Sequence, residues 1–124
     1  MESRRILIID DEPDIRAIVS VSLELTAGWE VIDAPDGPSG VQIAHEKRPD
    51  LILLDLMMPG CDGLSTLRQL RVGEFTATLP VILMTATPLS VARLDAVDGA
   101  QGVIAKPFDP MTLADRIRDI AKWA

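Results

Sequence analysis

ILIIDDEPD at residues 6–14 and LILLDLMMPG at residues 51–60 decide the fold. Each opens with four aliphatic residues and no polar alternation, the pattern of a strand covered on both faces, and each run ends in acid. VILM at Val81–Met84 repeats the pattern, and Glu30–Asp33 and Gly102–Ala105 are shorter, weaker versions of it. Helical spacing lies between them: Ile15, Ile18, Val19, Ser22 and Leu23; then Leu64, Leu67, Leu70 and Arg71; then Leu113, Ile117 and Ile120. The stretch from Thr87 to Gly99 reads as a short helix containing Val91, Arg93 and Leu94. Pro13 and Asp14 open the first helix and Gly28 closes it, while Asp109-Pro110 suits an N-cap followed by proline at the first helical position. Strand then helix, five times over, predicts an α/β domain with a parallel sheet and right-handed crossovers.

In such a sheet, ligands gather in the crevice outside the carboxyl ends of the strands, where the strand order reverses. Asp10 and Asp11 close the first run and Asp55 closes the third. If those strands are neighbours, three acids converge with no matching positive partner, and carboxylates that close repel one another. The arrangement calls for a cation. For an all-oxygen site that keeps bound water the natural choice is Mg²⁺.

The bulk numbers agree with a globular domain. The chain has 124 residues, 48% hydrophobic and 25% charged, enough for one substantial core, and it reads as a single domain over 1–124. Only 3% is aromatic, so the core must rest on aliphatic side chains. The net charge of −7 argues against direct nucleic-acid binding and against docking on anionic membranes. One cysteine, Cys61, excludes an internal disulfide and a multi-cysteine zinc site. No apolar stretch approaches the roughly 18–20 residues of a membrane span, and the N-terminus is not a secretory signal. A cytoplasmic location is expected. No linker, repeat or output module is read in these residues.

Taken together, the motifs resemble the receiver domains of bacterial two-component response regulators, the chemotaxis-type fold. Asp10-Asp11 match that family's acidic pair, Asp55 in DLMMPGCDG its phospho-acceptor, Thr85-Ala86 its hydroxyl residue and small neighbour, and Lys106-Pro107-Phe108 its lysine motif. All four follow in order at the ends of successive expected strands. The resemblance implies a doubly wound (βα)5 sheet of order 2-1-3-4-5 and Mg²⁺ held by Asp10, Asp11, Asp55 and the backbone carbonyl of Met57. It implies an aspartyl phosphate on Asp55, with Lys106 and Thr85 meeting the phosphoryl oxygens. The Lys106–Pro107 peptide is expected to be cis, since X-Pro bonds are where cis is accessible. The implied partners are a histidine kinase or phosphotransfer protein and an unknown downstream protein. A homodimer is left open. On this reading the chain is a phospho-acceptor rather than an enzyme.

The remaining residues read more plainly. Glu12 lies near the site but points to solvent, His45 is a surface histidine, and Cys61 is a small loop thiol. Met57 and Met58 read as packing residues, and Trp29 and Trp123 cover core edges near helix ends. One departure stands out: Val103 occupies the position where the family often has Tyr or Phe, so a ring-rotation switch is not available. Three competing readings carry less. A Mg²⁺-dependent phosphatase or nuclease would want a second acid two residues after Asp55, where Met57 stands. A flavodoxin-like phosphate binder needs backbone donors where DDEPD lies. A degenerate, phosphorylation-independent scaffold would not need the intact acids, threonine and lysine.

Overall fold

The computed structural model of the chain describes residues 3–58, 61–86 and 99–123. Five parallel strands form its sheet: β1 (Arg5–Ile9), β2 (Glu30–Ala34), β3 (Leu51–Asp55), β4 (Val81–Thr85) and β5 (Gly102–Ala105). Their order is β2-β1-β3-β4-β5, the 2-1-3-4-5 arrangement that the resemblance implied. Four α-helices are described: α1 (Pro13–Ala27), α2 (Gly37–Lys47), α3 (Gly63–Val72) and α4 (Leu113–Ala121). The helix expected between Thr87 and Gly99 lies, Gly99 apart, outside the described residues. A two-residue antiparallel ribbon, Met57–Met58 with Cys61–Asp62, follows β3.

Alternation within each strand divides the core into two layers. Leu7, Ile9, Ile52, Leu54 and Leu83 face α2 and α3, meeting Ala44, Leu67 and Leu70. Ile6, Ile8, Leu51, Leu53, Ile82, Met84 and Ile104 face α1 and α4, meeting Val19, Leu23, Leu113 and Ile117. Burying one such aliphatic side chain contributes about 1.5–3 kcal/mol, so the strands anchor whatever follows their ends. Val103 is buried in the first layer. Gly40 is small of necessity, because a Cβ there would lie 2.4 Å from Ile9 Cδ1.

The helix signals hold with two corrections. Pro13 stands in the first turn of α1, and Gly28 ends it in the left-handed conformation (φ +70°), its amide donating to the Glu24 carbonyl at 3.0 Å and the next amide, of Trp29, to the Leu23 carbonyl at 3.3 Å. Ile18, placed by its spacing on the inward stripe, is 42% exposed. It shares an outward apolar groove with Val21, Leu25 and Met111. Asp109 does not cap α4. Its carboxylate accepts from Met111 N at 2.9 Å in a turn that precedes the helix, and Thr112 takes the N-cap position. The proline after Asp109 therefore belongs to a turn, which delays the helix by three residues.

Trp29 and Trp123 cover one edge of the α1–α4 layer, edge to face with ring centroids 5.5 Å apart. Arg4 stacks over Trp123 at 4.1 Å and Arg118 over Trp29 at 4.9 Å.

Candidate functional site

Strands β1 and β3 are adjacent, with Ile9 paired to Leu54, so the acids that end them must meet. Asp10 is fully buried, Asp55 is 2% exposed and Asp11 is half-buried. One oxygen from each lies within 4.8 Å of the others. Lys106, one residue beyond β5, reaches into the group: its Nζ lies 2.7 Å from Asp10 Oδ2, 3.5 Å from Asp55 Oδ1 and 3.8 Å from Glu12 Oε1. The Lys106–Pro107 peptide is cis, as expected.

Local backbone bonds fix the two buried acids. Asp10 Oδ1 accepts from Glu12 N at 2.9 Å, and Asp55 Oδ1 accepts from Met57 N at 3.2 Å. Burial pushes the Asp55 carboxyl up from 3.8 to about 6; the Met57 amide opposes this, the Asp10 charge adds to it, and Lys106 opposes it. Burial alone would lower the Lys106 ammonium, but its bond to Asp10 and the charges of Asp10, Asp55 and Glu12 hold it above its ordinary 10.5. Asp55 is thus a desolvated carboxylate, still ionised at neutral pH, with one ammonium touching it.

Thr85 ends β4, 2% exposed, paired with Ala105, and its carbonyl accepts from Lys106 N at 2.7 Å. Threonine and lysine therefore flank the acids from the two strands beyond β3. Met57 supplies the amide that holds Asp55, while its side chain is 69% exposed rather than packed. The Glu12 side chain is mostly in solvent, as read from sequence, and among the described residues its ion pair is the longer contact to Lys106. His45 is exposed on α2, against Gly73, and the tryptophan pair lies at the opposite end of the strands. Cys61 belongs to the ribbon after β3.

The donor chemistry fits a hard divalent cation: three carboxylates converge, and Lys106 contacts two of them. Among the described residues no hydrogen bond or ion pair occupies the Asp11 carboxylate. Sequence reasoning missed one residue here. Arg16, in the first turns of α1, donates from Nη1 to the Asp10 carbonyl at 2.8 Å and from Nε to Asp33 Oδ2 at 2.9 Å. A signal was present, since a cation near a helix N-terminus opposes the helix dipole and needs another reason to be there.

Comparison with known proteins follows the same lines. The family model of the response regulator receiver domain matches residues 6–118. The chain is 42% identical over 119 residues to the DNA-binding dual master transcriptional regulator RpaA of Synechocystis sp., an alignment spanning 95% of this chain and 49% of RpaA. It spans about half the length of the curated relatives it matches. Among solved structures, the chemotaxis response regulator CheY4 of Vibrio cholerae is similar with a TM-score of 0.86 and 29% identity, over 96% of this chain and 99% of that one. The receiver domain of the sensor histidine kinase PA1611 of Pseudomonas aeruginosa, solved with a magnesium ion in its active-site cleft, is similar at 0.82 and 30% identity, over 98% of each chain.

Proposed function

The chain belongs to the response regulator receiver domain family, and from that premise we propose that Asp55 is the residue that accepts the phosphoryl group. The observation that carries this reading is the grouping of three carboxylates within 4.8 Å, two of them touched by Lys106. The donor is a phosphohistidine on a histidine kinase or phosphotransfer protein, which suits a cytoplasmic location. An Asp55 oxygen attacks phosphorus in line; the P–O bond forms as the P–N bond to the donor imidazole breaks, and that nitrogen keeps the electron pair and takes up a proton. Asp10, Asp11, Asp55 and the Met57 carbonyl would hold Mg²⁺, which when bound would offset the negative charge on the phosphoryl oxygens. Lys106 provides a second positive charge, and the Thr85 hydroxyl donates a hydrogen bond to one of those oxygens. Attack by water reverses the modification, so the chain assists its own chemistry without being an enzyme that turns over a separate substrate.

Phosphorylation replaces the single negative charge of the Asp55 carboxylate with a phosphoryl group carrying roughly −1.5 to −2, a net gain of about one negative charge, which Lys106 and Thr85 answer by moving toward it. With a buried valine at position 103, the signal travels through Thr85 and the segment after it rather than through a rotating ring. An unidentified downstream protein reads the changed surface.

The test is intact-mass analysis after incubation with Mg²⁺ and acetyl phosphate. One phosphoryl adduct is expected, abolished by chelation and by Asp55→Asn. No adduct on the folded wild-type protein, with Mg²⁺ binding demonstrated and beryllofluoride also without effect, would overturn the reading in favour of a phosphorylation-independent scaffold.

A further inference from the structure

Arg16 holds the peptide that joins the two acids, Asp10 and Asp11. Asp10 follows the last paired residue of β1, so its carbonyl lies beyond the sheet ladder. Its amide still reaches across, donating to Ala34 O at 3.1 Å. Its carbonyl accepts instead from Arg16 Nη1 at 2.8 Å, and Arg16 Nε is in turn fixed 2.9 Å from Asp33 Oδ2 on β2. The guanidinium side chain is only 17% exposed. Both backbone polar groups of Asp10 are therefore tied to β2, one directly and one through the Arg16–Asp33 pair.

That carbonyl belongs to the Asp10–Asp11 peptide plane, and a peptide plane is rigid. Fixing its oxygen fixes the direction in which the chain leaves for Asp11, hence where the half-buried Asp11 carboxylate is presented. Arg16 also brings a positive charge to the acidic end of the sheet without bonding the carboxylates of the acid pair.

We propose that Arg16, braced by Asp33, is a positioning residue for cation binding by the acid pair; this rests on the Mg²⁺ reading above. The alternative account of a nearby arginine makes an opposite prediction. If Arg16 acted only as a charge, removing it would make the site more negative and bind Mg²⁺ more tightly. If it positions the pair, removing it weakens binding, as loss of groups that orient metal ligands does, by about 10-fold or more.

Mg²⁺ affinity of the purified protein, measured by isothermal titration calorimetry alongside thermal unfolding in chelator, separates the two. Arg16→Gln is expected to weaken Mg²⁺ binding by about 10-fold, Arg16→Lys to recover part of the loss through one donor, and Asp33→Asn to lose less than Arg16→Gln. With acetyl phosphate, the Mg²⁺ concentration for half-maximal phosphorylation should rise while the rate at saturating Mg²⁺ changes little. Unchanged or tighter Mg²⁺ binding by folded Arg16→Gln overturns the proposal. Should that variant not fold, unchanged binding by Asp33→Asn does so. Calorimetry does not depend on phosphorylation, so failure of Asp55 to accept a phosphoryl group would leave this result standing on its own.

Discussion

Asp55 carries the electrostatic cost of the site. Its carboxyl is raised from 3.8 to about 6 because burial disfavours the ionised form. A carboxyl raised by folding binds its proton more tightly in the native state, so its stabilising contribution is full below pH 3.8 and lost as pH rises through 6. Lys106, raised above 10.5, keeps its contribution throughout that window and loses it only in alkali. In chelator, Asp55→Asn should therefore match the wild type near pH 4 and exceed it at pH 7, by on the order of 1–2 kcal/mol once solvent screening of the shift is allowed for. Urea denaturation across that range checks it; a wild type that gains on the variant as pH rises would show that Lys106 outweighs desolvation.

At the scale of elements, the site depends on how closely α3 returns to β3. Gly63 begins α3, and a Cβ there would lie 2.6 Å from Leu56 Cα and 2.7 Å from the Asp55 carbonyl oxygen, both backbone atoms. Gly63→Ala must displace either the helix or the segment that carries Asp55. We expect it to destabilise by about 1–3 kcal/mol and to slow phosphorylation by acetyl phosphate. Gly28→Ala is the control: nothing lies within 4 Å of its Cβ, but φ is +70°, so it should cost about 1–2 kcal/mol and leave the phosphorylation rate unchanged. The two glycines look alike in sequence. One is required by conformation and is legible beside a helix end; the other is required by proximity, which appears only once β3 and α3 are packed together. Asp109-Pro110 failed as a helix start for a related reason, since the same residues cap a turn equally well.

Across the whole molecule, the chemistry and the aromatic residues occupy opposite ends of the sheet. Trp29 precedes β2 and packs on Trp123, while the acids follow β1 and β3. A five-residue strand separates them by ~16 Å. Tryptophan emission should therefore report global unfolding and stay nearly constant when Mg²⁺ binds to the native protein. Mg²⁺ at 100 times its dissociation constant should raise unfolding free energy by about 2.7 kcal/mol, seen as a higher urea midpoint with an unchanged slope. A large change in native emission on adding Mg²⁺ would show that the two ends are coupled.

The residue pattern alone determined the strands, the parallel α/β class and acids at the ends of the first and third strands; the doubly wound order and the place of Lys106 among those acids came from the family resemblance. The pattern-read features are local: aliphatic runs buried on both faces, broken by acid at their ends. The sequence also placed Glu12 near the cluster but turned to solvent, and His45 on the surface of the second helix, away from it. Only the tertiary structure decided that Ile18 faces outward, that Gly63 touches the backbone behind Asp55, and that Arg16 ties the acid pair to β2. Each of these depends on which elements come within a few ångströms of one another and at what angle, and side-chain periodicity along one element carries no record of the neighbour it will meet.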